Sequence, residues 1–372
     1  MTTRADILSV GQLRPAGAPV SRPAPKAVAQ GEWTAYRLDE ATDAILNPPE
    51  RLKRLGRGQS MALEVVRRAL AACAEPPEKG RGTAVSLGTS LAEEGDDILF
   101  LQKIIEFGEK GAKPAYFVNS VKNALASQLA LNNGWQGENQ TFAHDALSFE
   151  TALWQGARLL CAGRARHAVV CGVDALIEFQ EIHGHVAGHY RSDPKPIEPL
   201  AGFPRPCAQG PKGTVVGEGA AAFVLAAENS SPKRQARLLG VRSGGAVTRY
   251  PKLIVADELA YVKDAAAQMG VDLGSVGLVL MGANDDALLD PIYAGVFAGL
   301  KSAAPKAGLG VYKHLTGEFA TASALGFALA VRAVAEKAIP AEIRQITPGS
   351  AGTVLLYHLT TTGYHSVMAV SG

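Results

Sequence analysis

The stretch Gln140-Thr-Phe-Ala-His-Asp-Ala-Leu-Ser-Phe-Glu-Thr-Ala-Leu153 has the pattern of a strand, a tight turn and a helix. Residues 141–143 predict a short strand that enters the turn. Residues 147–160 predict a helix with almost no charge along it, which is typical of a helix buried on most of its sides. We therefore expect this strand–turn–helix unit, called the elbow below, to lie inside the protein, with Ala146 where the helix begins.

The composition is that of an ordinary globular protein and argues against several classes of function. Of the 372 residues, 47% are hydrophobic and 19% are charged, which is enough to bury a large core. A net charge of +2 gives no electrostatic argument for nucleic-acid binding. We find no apolar leader and no apolar run of about 18 residues, so we expect a cytoplasmic protein.

Cysteine and histidine patterns give little support for a metal or another cofactor. The four cysteines are widely spaced, with no CxxC motif and no disulfide framework, which fits a reducing compartment. His185 and His189 have the i, i+4 spacing of a helical metal site, with His183 as a third possible ligand. Gly184 and Gly188 weaken a helix there, so we expect a mobile cap or an interface segment instead. We predict no metal and no cofactor. The cysteines are Cys73, Cys161, Cys171 and Cys207.

Two charged clusters are interpreted as solvated surface. Asp285 and Asp286 are adjacent carboxylates in a loop, where solvation is more common than metal binding. A basic cluster of four residues is interpreted as the solvated face or the entry of a helix. A docking patch for an acidic carrier protein is the alternative interpretation. The basic residues are Arg51, Lys53, Arg54 and Arg57.

Short apolar strand-like segments alternate with longer helical ones, which predicts an α/β architecture. The chain falls into two similar halves, which suggests an internal duplication. We place an N-terminal half at residues 1–230 and a C-terminal half at residues 231–372. Within the first half, residues 178–213 are rich in proline, glycine and histidine and predict a long cap loop, which is usually functional in a compact domain.

Five segments, in this order, resemble the β-ketoacyl synthases of the thiolase superfamily. They look like the opening strand, the helix that leads to the elbow, the strand that usually ends in Gly-Gly-Ala-Glu, and two later glycine-containing blocks. The resemblance implies a thiolase-like α/β fold, in which two duplicated βαβαβαββ halves form a layered α-β-α-β-α core. The segments are residues 7–17, 117–130, 168–175, 206–222 and 312–326.

The same resemblance implies that the catalytic groups of the family are missing. Members use a cysteine at the amino end of a buried helix, where the helix dipole favours the thiolate. Two histidines stabilise the charge that develops on the substrate. In this chain the cysteine position matches Ala146, the first histidine Gly282 and the second histidine Glu318. Only the lysine of the Lys-x-x-Thr-Gly segment is kept, as Lys313.

A ketosynthase-like chain that lacks the catalytic residues resembles the chain-length factor of type II polyketide and aryl polyene systems. The resemblance implies a non-catalytic subunit that pairs with a catalytic ketosynthase and works with an acyl carrier protein. Such a subunit shapes the acyl tunnel and sets the chain length. Phe117, Phe142 and Phe149 are candidates to line the tunnel or the interface, and the alternative is that they are ordinary core residues.

An enzyme with replaced chemistry is the second hypothesis. His144, Asp145 and Glu318 supply an imidazole and two carboxylates, which could serve acid–base dehydration, hydrolysis or acyl transfer in a homodimer. His144 and Asp145 more often make buried polar pairs or interface contacts. Glu318 is expected to pair with Lys313 across the turn, which would leave a satisfied charge in place of the histidine.

Overall fold

A computed structural model describes residues 3–24, 32–46, 55–191, 195–200, 212–245 and 253–372. Fourteen strands lie within these ranges. They are β1 (Ala5–Leu13), β2 (Val20–Pro23), β3 (Glu32–Tyr36), β4 (Thr83–Gly88), β5 (Asn139–Phe142), β6 (His167–Asp174), β7 (Val216–Gly217), β8 (Gly219–Ala227), β9 (Ala236–Gly244), β10 (Val276–Met281), β11 (Gly308–Val311), β12 (Arg344–Thr347), β13 (Thr353–Leu359) and β14 (His365–Ser371).

Ten α-helices connect and cover the strands in the same ranges. None of them is long and apolar enough to cross a membrane. The helices are α1 (Glu40–Leu46), α2 (Arg57–Ala71), α3 (Glu94–Phe107), α4 (Pro114–Ser120), α5 (Ala124–Asn133), α6 (Ser148–Cys161), α7 (Glu178–Val186), α8 (Val255–Gln268), α9 (Asp290–Leu300) and α10 (Ala322–Glu336).

Eleven strands form one sheet in the order β12-β11-β10-β13-β14-β9-β1-β8-β6-β4-β5. In its first half, β4 is parallel to β5 and β6, and β8 is antiparallel to β6 and β1. In its second half, β10 is parallel to β11 and β13, and β14 is antiparallel to β13 and β9. The two halves therefore repeat one design, which confirms the predicted duplication.

The order of the layers is indicated by the hydrophobic cluster to which each helix contributes its buried side chains. Apolar residues of α6 and α10 form one cluster with strands of both halves, so these two helices lie in the middle. The outer face of the first half is covered by α2 and α5, and that of the second half by α8 and α9. This is the predicted α-β-α-β-α order. Residues 5–7 of β1 also pair with residues 236–238 of β9, which joins the halves into one continuous sheet.

The cap prediction needs correction, because α7 occupies residues 178–186 of the segment that was expected to be a loop. Gly184 does not break this helix, since the ring of Tyr190 packs on it. A Cβ at Gly184 would lie 2.1 Å from that ring. Packing of an aromatic ring here outweighs the low helix propensity of glycine. Residues 192–194 and 201–211 of the predicted cap lie outside the described ranges.

Two breaks in the regular structure lie near the elbow and the cap. Helices α4 and α5 are separate, because Val121 after α4 has extended backbone with ψ of 128°. Strands β7 and β8 are separated by Glu218. The expected boundary between residues 230 and 231 falls between β8 and β9 and stays a prediction.

Arg57 of the basic cluster is not a solvated residue. Its guanidinium binds the carboxylate of Glu218, which is fully buried, at 2.7 Å and that of Asp43 at 2.9 Å. Glu218 also accepts the backbone N–H groups of Leu38 and Leu176, so the pair ties α2 to the segments that follow β3 and β6. The other three members of the cluster, and Cys207, lie outside the described ranges.

Candidate functional site

The elbow forms where predicted, between β5 and α6. Asp145 has a φ of 45°, a left-handed conformation that is uncommon for residues other than glycine, asparagine and aspartate. The hydroxyl of Ser148 accepts the backbone N–H of His144 at 2.9 Å and donates to the backbone oxygen of Asp145 at 2.6 Å. Gly88 at the end of β4 allows α6 to approach, since a Cβ there would lie 2.3 Å from the backbone oxygen of Ser148. This geometry places Ala146 at the start of α6, 7% exposed.

A buried ion pair lies at the loop between β11 and α10. The Lys313 ammonium is fully buried, and its Nζ atom lies 2.5 Å from both carboxylate oxygens of Glu318. The side-chain amide of Asn284 donates to Glu318 Oε2 at 2.6 Å. The expected pair of Lys313 and Glu318 is thus present, and Glu318 is held by a third polar group.

The ion pair continues into a chain of buried polar groups that reaches α6. Nε2 of His358 lies 3.3 Å from Lys313 Nζ, and Nδ1 of the same ring lies 3.4 Å from Glu150 Oε1. The hydroxyl of Ser366 donates to this Glu150 oxygen at 2.9 Å. Because Glu150 lies one helical turn after Ala146, the chain connects the elbow helix with Glu318. We call these residues the polar chain: Asn284, Glu318, Lys313, His358, Glu150 and Ser366.

Gly282 faces this polar chain at the end of β10. A Cβ at this position would lie 3.0 Å from His358 Cδ2, 3.2 Å from the Tyr293 hydroxyl and 3.3 Å from the Tyr312 hydroxyl. Both tyrosines are fully buried, and burial raises the pKa of each phenol well above its usual value. The space that a larger side chain would need at position 282 is therefore occupied by three rings.

His144 and Asp145 are exposed residues of the elbow. His144 is exposed, and its ring packs edge-on against Tyr364 at 5.4 Å between centroids. No hydrogen bond or ion pair in the described ranges joins either residue to Lys313 or Glu318. The residual polar site that the sequence suggested stays a prediction. The structure adds His358 and Glu150 beside Lys313 and Glu318, which sequence reasoning missed because His358 and Glu150 are 208 positions apart.

A cavity of about 420 Å³ lies beside the elbow. Asp145 and Phe319 line one side of it, and α7 with Tyr190 lines another. On the far side of α7, the Glu181 carboxylate is fully buried and accepts from Arg22 at 2.5 Å and from Arg37 at 2.7 Å. The cap helix is thus anchored to β2 and to the residue that follows β3, and it forms one wall of the cavity.

The three phenylalanines expected near a tunnel have different environments. Phe149 is fully buried in the central core, with its ring 5.5 Å from Phe223 and 5.9 Å from Phe327. Phe142 is partly buried against the same core. Phe117 on α4 is 57% exposed. None of the three lines the cavity, and their role in a tunnel or interface stays a prediction.

The residues considered as metal ligands are used in other ways. Of the described residues, no group of three histidine, cysteine or acidic side chains is placed to hold a metal. His185 stacks on Trp33 at 4.3 Å between ring centroids. The expectation that Asp285 and Asp286 are solvated is wrong. Asp285 pairs with Arg191 at 2.7 Å, and Asp286 is 4% exposed and accepts backbone N–H groups.

An open sheet edge and exposed apolar side chains lie on the elbow side of the molecule. In the described part of the chain, β5 is the last strand of the sheet and pairs with β4 alone. The hydroxyl of Thr141 on β5 bonds to Asn123, which precedes α5 and follows α4. The exposed apolar residues of α3, α4 and the turn after them are Leu99, Leu101, Ile105, Phe107, Phe117, Val118 and Val121. We call these seven residues the α3–α4 apolar set.

Comparison with family models identifies one family. The family model described as "Beta-ketoacyl synthase, N-terminal domain" matches residues 19–230. No curated protein sequence matches the chain. Solved structures with the same fold include a type II PKS acyl-carrier protein in complex with its ketosynthase bound to the hexaketide, at a TM-score of 0.81 and 14% identity, with all of both chains covered.

Two further solved structures are similar over the whole chain. One is the ishigamide ketosynthase/chain length factor, and the other is a β-ketoacyl synthase from Burkholderia phymatum STM815. Each has a TM-score of 0.78 and 15% identity, covering 100% of this chain and 99% of the other. At this identity the similarity establishes the fold alone.

Proposed function

This chain belongs to the β-ketoacyl synthase family, and from that premise we propose that it is a non-catalytic, chain-length-factor-like subunit. In this proposal it pairs with a cysteine-bearing ketosynthase in the cytoplasm and helps to shape the acyl tunnel. The pair would extend polyketide or polyene chains carried by an acyl carrier protein. Ala146, Gly282 and Glu318 take the places of the catalytic cysteine and the two histidines.

One observation carries the proposal. Glu318 and Gly282, which we align with the two histidines of the family, are respectively bound to Lys313 and enclosed by His358 and two buried tyrosines. An alanine at the elbow provides no nucleophile for a thioester. A carboxylate in an ion pair with Lys313 cannot replace a histidine that donates a hydrogen bond to a developing oxyanion. The rings around Gly282 leave no room for the other histidine. Loss of chemistry is thus accompanied by repacking of the site.

The open edge of the sheet at β5 indicates where the partner subunit would bind. An uncovered strand edge such as that of β5 is a template for a strand of another chain. The α3–α4 apolar set places exposed hydrophobic side chains on the same side, and large exposed apolar groups are typical of protein interfaces. We expect the catalytic ketosynthase to cover β5 and this set. Ketosynthase-like subunits resemble each other, so a second copy of this chain is the competing partner.

Co-expression with a cysteine-bearing ketosynthase from the same gene neighbourhood tests the proposal. Size-exclusion chromatography with mass analysis is expected to show a stable one-to-one heterodimer. Phe117→Asp is expected to abolish it, because the charge would be buried in the interface, while the monomer keeps its fold. Leu288→Asp is the matched control, since Leu288 is 58% exposed but lies outside the apolar set.

A homodimer of this chain that does not bind the co-expressed ketosynthase would overturn the proposal. In that case the altered-chemistry hypothesis predicts dehydration, hydrolysis or transfer by this chain alone. That activity would be lost in His144→Ala and in Glu318→Ala. His144 is exposed and makes no hydrogen bond to Glu318 in the described structure. This argues against the alternative, because acid–base partners must lie within hydrogen-bond reach of a common substrate.

A further inference from the structure

The cavity beside the elbow is a preformed site with a fixed cap. Tyr190 packs against Gly184 on α7, and the next helical residue, His185, stacks on Trp33. Glu181 anchors the same helix through two arginines, one in β2 and one directly after β3. A volume of about 420 Å³ lies within the range of small-molecule sites, so the space exists before any ligand arrives.

One part of the cavity lining is apolar. These residues come from four separate segments, namely the β4–α3 loop, the β6–α7 region, β7 and the residues before α10. A short hydrocarbon chain placed against them would leave water and gain the usual hydrophobic free energy. The apolar lining residues are Leu91, Leu176, Phe179, Val216 and Phe319.

The charged lining is acidic. Asp145 and Glu94 both line the cavity, and no lysine or arginine is among its described lining residues. Gln180 of α7 donates to Glu94 Oε2 at 2.6 Å and fixes that carboxylate at the wall. The carboxylate of Asp145 has no hydrogen-bond or ion-pair partner in the described part of the chain. His183 and His189 complete the polar side.

The third carboxylate of the cavity is not available to a ligand. Asp174 is 1% exposed. One of its oxygens accepts hydrogen bonds from the Thr89 hydroxyl and from the backbone N–H groups of Ser90 and Leu91. The other oxygen accepts from the backbone N–H and the hydroxyl of Thr321. Its two oxygens are therefore saturated. The groups that can meet a ligand are Asp145 first and Glu94 second.

We propose that this cavity binds a primary amine carried on a short hydrocarbon chain. The ammonium group donates to Asp145 and Glu94, and the hydrocarbon lies on the apolar lining. An anionic ligand of the same length would face two carboxylates without a compensating cation. All of these groups belong to this chain, so the site is independent of the pairing proposed above.

Titration calorimetry of the isolated chain at pH 8 tests the site with three probes of equal length. The probes are n-octylamine and octanoate, each below its critical micelle concentration, and n-octanol below its solubility limit in water. We expect saturable one-site binding of octylamine that is at least about tenfold tighter than that of octanoate, as charge-assisted hydrogen bonds predict. Octanol is expected to lie between them.

Asp145→Asn identifies the residue responsible. Asparagine tolerates the left-handed backbone at this position, so the variant is expected to fold. It should weaken octylamine binding at least about tenfold and leave octanol binding unchanged. Glu109→Gln makes the same charge change at an exposed position and is expected to bind like the parent chain. Equal affinity for octanoate, unchanged octylamine binding in Asp145→Asn, or no saturable binding of octylamine would each overturn the proposal.

Discussion

At the scale of single residues, a buried lysine is balanced by the acidic and polar groups around it. Lys313 has no exposed surface, and an unpaired ammonium in such a place would be very costly. Glu318 neutralises it, and His358 links it to Glu150. The buried lysine and the imidazole next to it thus have polar partners, as buried polar groups usually do.

We predict that Glu318→Gln destabilises the protein by about 3 kcal/mol, because removing one partner leaves the buried lysine charge uncompensated. Urea denaturation monitored by circular dichroism measures the change in the free energy of unfolding. The double variant Lys313→Met with Glu318→Gln removes both charges, so its free energy of unfolding should decrease by less than that of Glu318→Gln alone. If the single variant lost under about 0.5 kcal/mol, the pair would have no structural role.

At the scale of elements, the cap helix α7 shows how packing can override propensity. The sequence contains a glycine in the middle of α7, which by itself disfavours a helix. The helix forms because Glu181 and His185 are held by the β2–β3 hairpin on one side and Gly184 receives the ring of Tyr190 on the other. The same packing fixes one wall of the cavity.

Gly184→Ala should therefore loosen α7 even though alanine is the better helix former. The added methyl group would collide with the Tyr190 ring, and overpacking of this kind costs about 1–3 kcal/mol. Hydrogen exchange of the α7 amides is expected to become faster. In a Tyr190→Ala background the ring is gone, so the same change should slow exchange or leave it unaltered. Faster exchange in both backgrounds would contradict the steric explanation.

At the scale of the whole molecule, buried titratable groups act on stability in opposite directions. Glu93 is 5% exposed and caps the start of α2 by accepting backbone N–H groups of Gly58 and Gln59, and burial raises its pKa to about 7. Burial likewise raises the pKa of Asp290 to about 7. Burial lowers the pKa of His167 and His314. The acids favour folding at low pH, and the histidines favour it at higher pH.

The contribution of Glu93 can be isolated by comparing Glu93→Gln with the parent chain at each pH. Since its folded pKa lies above the unfolded one, its stabilising effect is complete below about pH 4.5 and is lost as pH rises through 7. Between pH 5 and pH 8 the unfolding free energy of the parent chain should fall by roughly 2 kcal/mol relative to that of Glu93→Gln. Glu109→Gln, at an exposed position, should show no such shift. A difference independent of pH would contradict the raised pKa.

The sequence alone was sufficient wherever the information is local or periodic. The alternation of strands and helices and the elbow around Ala146 follow from apolar patterns and turn residues. The pairing of Lys313 with Glu318 was also predictable, because five residues and a tight turn bring opposite charges together. The same patterns identified the duplicated α/β fold through its resemblance to the family.

Tertiary structure decided everything that depends on residues far apart in the chain. His358 is 45 positions from Lys313 and 208 from Glu150. Arg57 is 161 positions from Glu218. No local sequence pattern predicts contacts over such separations. The joining of the two halves through β1 and β9, and the helix in the cap, also arise only on packing. The physical reason is that the sequence gives the propensity of each segment, whereas burial selects the partner for every charge and ring.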